Sequence, residues 1–291
     1  MAGHLVVTEQ HSEVPAAAQS YWVVIPAYNE AHTVRDVALR ARKQCPHVIV
    51  VDDGSTDGTA EVLAGLDVTV LRSEKNLGKA GSLCRGFEQA LAGGAAGVIT
   101  LDADGQHAPE EISLFIKRSL DDPSAFLIGA RRREQRKTSF WRYGANRVAD
   151  FWVGWAAGAP VEDSQSGFRL YPAALLRAVD VPHERSRSFV FESEILIEAA
   201  RRAMVIRNVP IAVTPRSGPC PSHFRPVLDI VKITRMVAWK ILSRGLCPRE
   251  LWRTLRGDRF DSAGNPLLNI HDNALLVDKQ KKERRERVRS R

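Results

Sequence analysis

The 291-residue chain is poor in cysteine and aromatics, and it has no long stretch free of charge. Its four cysteines, Cys45, Cys84, Cys220 and Cys247, lie far apart and form neither a CxxC pair nor a zinc spacing. That excludes a disulfide framework and implies reduced thiols in a cytoplasmic compartment. The longest run without Asp, Glu, Lys or Arg is Val14 to Asn29, 16 residues broken by Pro15 and Pro26. Crossing a bilayer needs roughly 18 to 20 apolar residues, so no transmembrane helix is predicted. The start carries His4, Glu9 and Glu13 and lacks the basic-then-apolar layout of a secretory signal. No GxGxxG occurs, and Gly78-Lys79 has Ser73 and Ala80 where a P-loop needs Gly and Ser or Thr. Counting from Asp53, the twelfth position is Ala64, which excludes an EF-hand.

What is present is a globular composition, 44% apolar with 7% aromatics, and a lopsided charge. The formal net charge of +8 first suggests a nucleic-acid binder, yet residues 1–215 hold 24 basic and 26 acidic side chains, and residues 216–291 hold 18 and 8. The basicity belongs to the C-terminal quarter, which points to a separate role there, such as holding phosphate-rich or anionic surfaces.

From Tyr21 to about Val213, short β-branched runs alternate with helical spacing. Trp22 to Ile25, Val48 to Val51, Val68 to Leu71, Gly97 to Leu101 and Phe126 to Gly129 are predicted strands. Ala31 to Lys43, Thr59 to Leu66, Gly78 to Leu91 and Pro109 to Leu120 are predicted helices between them. This order implies an α/β fold with a mainly parallel sheet, helices on both faces, and ligands outside the C-terminal strand ends. Phe140 to Ala157 is an expected helix lying on the body, and Gly167 to Tyr171 and Val205 to Val213 are further strands around a helical Glu192 to Ala203. Pro215 to Pro226 is an expected loop. The organisation is then an extension over 1–20, a catalytic domain over 21–215, a loop and amphipathic basic helix over 216–260, and a polar connection with a basic, disordered or frayed tail over 261–291.

Three strand ends carry acidic or polar clusters. VVIPAYNE (23–30) leaves Tyr28 and Glu30 at a strand tip, and VVDDGSTDGT (50–59) closes a strand with Asp52 and Asp53, with Thr56 or Asp57 placed to cap the next helix. VITLDADGQH (98–107) puts Asp102 and Asp104 one residue apart directly after a buried-looking strand. Two carboxylates this close repel in a partly desolvated cleft unless a cation or donor sits between them. Mg²⁺ or Mn²⁺ is a natural filler, with Gln106 able to add an oxygen.

IPAYNE, VVDDGSTDGT, NLGKAGSLCRGFEQA (76–90), LDADGQH and DSQSGFRLYP (163–172) resemble, in order, the motifs of family 2 glycosyltransferases with the GT-A fold, and in particular dolichol- or polyprenyl-phosphate mannosyl- and glucosyltransferases. The resemblance spans about residues 21–215. It implies transfer of a sugar from a nucleotide sugar, with inversion at the anomeric carbon and a divalent metal. By the same resemblance, Pro26, Tyr28, Glu30, Val51, Asp53 and Lys79 line the nucleotide sugar, Asp53 accepting a hydrogen bond from the base. Asp102, Ala103, Asp104 and Gln106 form the metal and diphosphate site. Arg131 supplies a basic position after a later strand, and Ser166 and Arg169 fall in the SGFR motif near the acceptor. Two departures stand out: Pro221-Ser222-His223-Phe224-Arg225 replaces a basic Ser-Lys common in the family, and the downstream membrane-spanning helices of many relatives are missing.

A sugar hydroxyl must lose a proton to attack and so wants a carboxylate base, for which Asp163 or Glu192 would be the candidates. A lipid phosphate is already ionised, with a second pKa of about 6, and needs only cationic anchors. RRREQRK (131–137), five basic residues in seven, favours the phosphate. At 100° per residue Val227, Ile230, Val231, Thr234, Val237, Ala238 and Ile241 share one helix face, with Arg225, Lys232, Arg235, Lys240 and Arg244 opposite. That face either packs on the catalytic domain or lies in a membrane interface. The tail 278–291 adds eight basic and three acidic residues. The expectation is a cytoplasmic hexosyltransferase, peripheral to the membrane, using a nucleotide sugar, a divalent metal and a lipid-phosphate acceptor. A family 2 enzyme acting on a hydroxyl is the alternative. A nucleic-acid-binding module is disfavoured, because such a binder gains nothing from carboxylates at a cleft.

Overall fold

Seven strands form one sheet in a computed structural model that describes residues 16–131, 140–158, 161, 163–180, 190–212, 226–243 and 248–256. They are β1 (Tyr21–Ala27), β2 (Val48–Asp52), β3 (Thr69–Arg72), β4 (Gly97–Thr100), β5 (Phe126–Arg131), β6 (Arg169–Pro172) and β7 (Ile206–Ile211), arranged 3-2-1-4-6-5-7. Only β6 is antiparallel to its neighbours, β4 and β5. The mainly parallel α/β sheet expected from the sequence is therefore present.

Alternation along the strands divides the core into two layers. Val23 and Ile25 of β1 face one layer with Val48 and Val50, closed by α1 (Val34–Arg42) and α3 (Ile112–Asp121). Val24, Ile49 and Val51 face the other, closed by α2 (Gly78–Ala92), α4 (Phe140–Ala157), α6 (Val190–Arg201) and α7 (Pro226–Leu242). Two covered faces explain why β2 is buried along its whole length and reads as an unbroken apolar run. Short α5 (Ala173–Ala178) follows β6, and α8 (Pro248–Arg256) packs on α4.

Three expectations change. Thr59 to Leu66 forms only a 3-10 turn at Glu61–Leu63, because Gly58 and Gly65 take positive φ (88° and 76°) and leave too few residues between them to repay helix nucleation. The stretch after α7 contains α8, whose Pro248 sits at its start, where the missing N–H costs nothing. Among the described side chains of α7, the buried ones are Ile233, Val237 and Ile241, while Val231 and Thr234 are exposed. Apolar residues surround more than half of this helix, and the arc that packs is rotated from the expected face, which included Val231 and Thr234 and left out Ile233. Lys240, expected on the outward basic face, instead reaches Glu194 (3.2 Å) and Glu198 (2.7 Å) of α6 and selects that arc. Most of RRREQRK, the Pro215 to Pro226 loop with Pro221 to Arg225, and the tail lie outside the described residues.

Candidate active site

The chain runs β1, β2, β3 outward and then returns to place β4 on the other side of β1. A crevice opens where the strand order reverses, at the C-terminal ends of β1 and β4, and ligands of such sheets bind there. IPAYNE and LDADGQH follow those two strands.

The loops after β1 and β2 brace each other. Asn29, in the left-handed region at φ 55°, donates its N–H to Ser55 Oγ (2.9 Å) and accepts from Thr56 N–H at Oδ1 (2.9 Å). Glu30 N–H donates to Thr59 Oγ1 and Ala31 N–H to Asp57 Oδ2. Pro26 and Tyr28 are half-buried along this wall, Glu30 is buried, and the Val51 and Ala103 side chains belong to the core. Asp53 also anchors the next helix. Its two oxygens accept the Leu77 (2.7 Å) and Gly78 (2.8 Å) N–H groups, so a buried carboxylate caps α2 and locks its first turn against the crevice.

That cap fixes Lys79 one residue further on. Lys79 Nζ lies 2.6 Å from Asp102 Oδ1 and 3.3 Å from Glu192 Oε1, joining α2, the end of β4 and the start of α6. Burial alone would lower the lysine pKa and raise that of Asp102. The mutual attraction wins for both, so Lys79 is held charged and Asp102 is pulled down to about 2. Glu192 is 5% exposed, and its Oε1 is sealed from the surface with no hydrogen bond. Asp104 is half-buried and accepts the Gln106 N–H at 3.0 Å, closing a tight turn just past Asp102. Gly167 approaches Asp102 so closely that an added Cβ would stand 2.7 Å from Oδ1 and 2.8 Å from Cγ. Neither Gly167 nor His107 stands out in the sequence alone. Buried His107 accepts the Asp102 N–H at Nδ1 (3.4 Å), and burial lowers its pKa against the pull of Asp102 and Asp104, which keeps the ring neutral. Their places at the ends of LDADGQH and DSQSG are the only local signals of these contacts.

The remaining predicted residues sort into two groups. Arg131, at the end of β5, forms a two-point pair with Asp163 (Nε to Oδ2 2.7 Å, Nη2 to Oδ1 2.8 Å), and that hydrogen-bonded carboxylate raises its pKa. Arg169 does not face an acceptor. Fully buried, it donates to the carbonyls of Ser166 (2.7 Å), Glu192 (2.6 Å) and Ser164 (2.6 Å). Ser166 is likewise buried, its Oγ accepting the Phe168 N–H at 3.4 Å, so both SGFR residues shape the loop. Asp150 of α4 completes the brace by accepting the Ser164 N–H (2.9 Å) and Oγ–H (2.7 Å).

Among the described residues no three His, Cys, Asp or Glu side chains are grouped to hold a metal by themselves. The family 2 glycosyl transferase model matches residues 22–179. The chain belongs to that family. It is 30% identical over 205 residues to a polyprenol monophosphomannose synthase of Mycolicibacterium smegmatis, covering 67% of this chain and 77% of that one. It is 29% identical over 211 residues to a UDP-N-acetylglucosamine–dolichyl-phosphate N-acetylglucosaminyltransferase of Methanococcus voltae, covering 65% and 84%. Among solved structures it is similar to glucosyl-3-phosphoglycerate synthase from Mycobacterium tuberculosis in complex with Mn²⁺, UDP and glucosyl-3-phosphoglycerate. The TM-score there is 0.58 at 21% identity, over 84% of this chain and 86% of the other. At that identity the likeness is one of fold, and the fold of this glycosyltransferase is GT-A.

Proposed function

We propose that this glycosyltransferase moves a hexose, mannose or glucose, from a nucleotide sugar to a polyprenyl or dolichyl phosphate, with inversion at the anomeric carbon. The acceptor class rests on one observation: both carboxylates that could serve as base toward a hydroxyl are already committed. Arg131 occupies both oxygens of Asp163, and Glu192 is paired with Lys79 behind the surface. An acceptor that arrives ionised needs neither. The names of the two relatives agree in a prenol or dolichol phosphate and differ in the sugar.

Asp102 and Asp104 fit Mg²⁺ or Mn²⁺, which takes one or two carboxylates and fills its shell with phosphate oxygens and water; bound there, it would neutralise the departing diphosphate. Lys79 keeps Asp102 ionised and oriented. Arg131, immobilised through Nε and Nη2, keeps Nη1 outside the Asp163 pair as a donor toward an acceptor phosphate. The loop braced by Arg169 and Asp150 walls the crevice. A phosphate oxygen then attacks the anomeric carbon from the face opposite the diphosphate; the new C–O bond forms as the old one breaks, and the nucleoside diphosphate leaves.

A lipid acceptor implies work at a membrane surface. Among the described residues no helix is long and apolar enough to cross one, so the attachment proposed is peripheral, at the cytoplasmic face and with the basic C-terminal region toward anionic lipid. One labelled donor offered to prenyl phosphates and to hydroxyl acceptors tests the reaction. A sugar phosphate cleaved by mild acid is expected, and an acid-stable glycoside formed from a hydroxyl acceptor would overturn the reading. Asp104→Ala should abolish transfer, and full activity of that variant in chelator would remove the metal assignment.

A further inference from the structure

Helix α7 exposes an apolar face opposite the one it buries. Ile233, Val237 and Ile241 are at most 2% exposed, whereas Val231, Trp239 and Leu242 are 49%, 73% and 62% exposed. At 100° per residue Val231, Arg235, Trp239 and Leu242 share one arc, with Lys232 on its flank. Helix α8 repeats the pattern: Leu251, Trp252 and Leu255 share an arc, and Trp252 and Leu255 are 54% and 66% exposed. Both helices pack on α4. Single exposed apolar residues are normal on a soluble surface, but two tryptophans and two leucines on two helices that both pack on α4 mark an interaction site.

The surroundings say what covers it. The exposed residues described between 231 and 243 are Val231, Lys232, Thr234, Arg235, Trp239, Leu242 and Ser243, with no carboxylate among them. Tryptophan and leucine interleaved with lysine and arginine is the composition of helices that lie in the headgroup region of an anionic bilayer. A symmetric dimer through this face would bring together two surfaces whose described charges, Lys232 and Arg235, are both positive. The face is also tied to the active site. Lys240 binds Glu194 and Glu198, and Glu194 follows by two residues the Glu192 that pairs with Lys79. The end of α7 carrying Trp239 and Leu242 is thereby pinned to the middle of α6, the helix whose first turn holds Glu192.

We propose that the outward faces of α7 and α8 form the docking surface on an anionic bilayer, with Trp239 and Trp252 among the headgroups, Leu242 and Leu255 at the acyl boundary, and Lys232 and Arg235 toward lipid phosphates. The inference rests on the lipid-phosphate reading only in that the acceptor's headgroup is met at the same surface.

The test is co-sedimentation of the full chain with phosphatidylcholine vesicles, with and without phosphatidylglycerol, beside transfer to a short water-soluble prenyl phosphate and to a long-chain polyprenyl phosphate in vesicles. Trp239→Ser and Trp252→Ser should each weaken vesicle binding about tenfold. Lys232→Gln and Arg235→Gln should each weaken it about fivefold on anionic vesicles alone. The double tryptophan variant should keep its thermal melt and its turnover of the soluble acceptor while losing turnover of the embedded one. Vesicle binding that survives the double variant, or that disappears only when the tail lysines and arginines at 281, 282, 284 and 285 become glutamine, overturns the surface. So does a tryptophan-dependent dimer in sedimentation. If no prenyl phosphate is glycosylated but binding still depends on the tryptophans, the surface stands and the acceptor reading fails.

Discussion

Lys79→Met tests whether one lysine holds the acidic end of β4 together. In the native chain Lys79 outweighs the cost of burying Asp102 and takes its pKa from 3.8 to about 2. At about 1.4 kcal/mol per unit that displacement corresponds to on the order of 2 kcal/mol, and with Asp102 31% exposed solvent reduces it to about 1–2 kcal/mol. The variant also leaves the buried Glu192 carboxyl without its cation, and breaking a buried pair by removing one partner costs about 3–5 kcal/mol. A loss of about 3 kcal/mol at pH 7 is expected, a fall of roughly 6–12 °C in the melting temperature. The sign of the pH dependence is set by the direction of the shift. A depressed carboxylate stabilises the native chain fully above its unfolded value of 3.8 and loses that contribution as pH falls through about 2. Without the lysine, burial pushes Asp102 upward instead, and protonation relieves the strain as pH falls. The gap between native and variant melts should therefore narrow from pH 7 to about pH 4. Circular-dichroism melts in chelator, where no metal replaces the missing cation, measure it. A gap that stays constant over that range, or a variant as stable as the native chain at pH 7, would show that Lys79 does not stabilise this cluster.

Gly167→Ala should reduce transfer by about a hundredfold, since the new methyl meets the Asp102 carboxylate and must displace it; unchanged kcat/KM would show that Asp102 has room to move. Arg169→Lys should lower stability by about 3 kcal/mol in a denaturant titration, because an ammonium cannot reach three carbonyls that a planar guanidinium serves together, and a loss under about 1 kcal/mol would contradict that account. Asp163→Asn should raise the KM for the acceptor about tenfold while leaving that for the nucleotide sugar nearly unchanged, as Arg131 loses its two-point anchor. Steady-state kinetics varying each substrate separate the two, and an equal rise in both would remove Arg131 from the acceptor side.

Much of this molecule is legible along the chain. Period-two and period-3.6 patterns are local steric consequences of strand and helix geometry, so the strands, the mainly parallel sheet and the positions of three polar strand ends could be read without coordinates. Local pattern failed where a pair of glycines decided, at Gly58 and Gly65, and where a helix was apolar around most of its circumference, as in α7. The motifs marked which residues gather at the crevice, but spacing does not encode which atoms they meet. Asp53 sits beside a strand end, and only the path of residues 73–78 brings the N-terminus of α2 onto both its oxygens. Arg169 reads as a cation near the acceptor in SGFR until β6, antiparallel between β4 and β5, carries it beneath the loop it supports. Lys79, Asp102 and Glu192 come from three elements far apart in sequence and become one charge cluster because the strand order reverses between β1 and β4. The order of residues was enough to set the elements and the chemistry available at their ends. The pairing of those ends came with the assembled sheet, because the partner of a buried charge is whichever group the sheet brings against it.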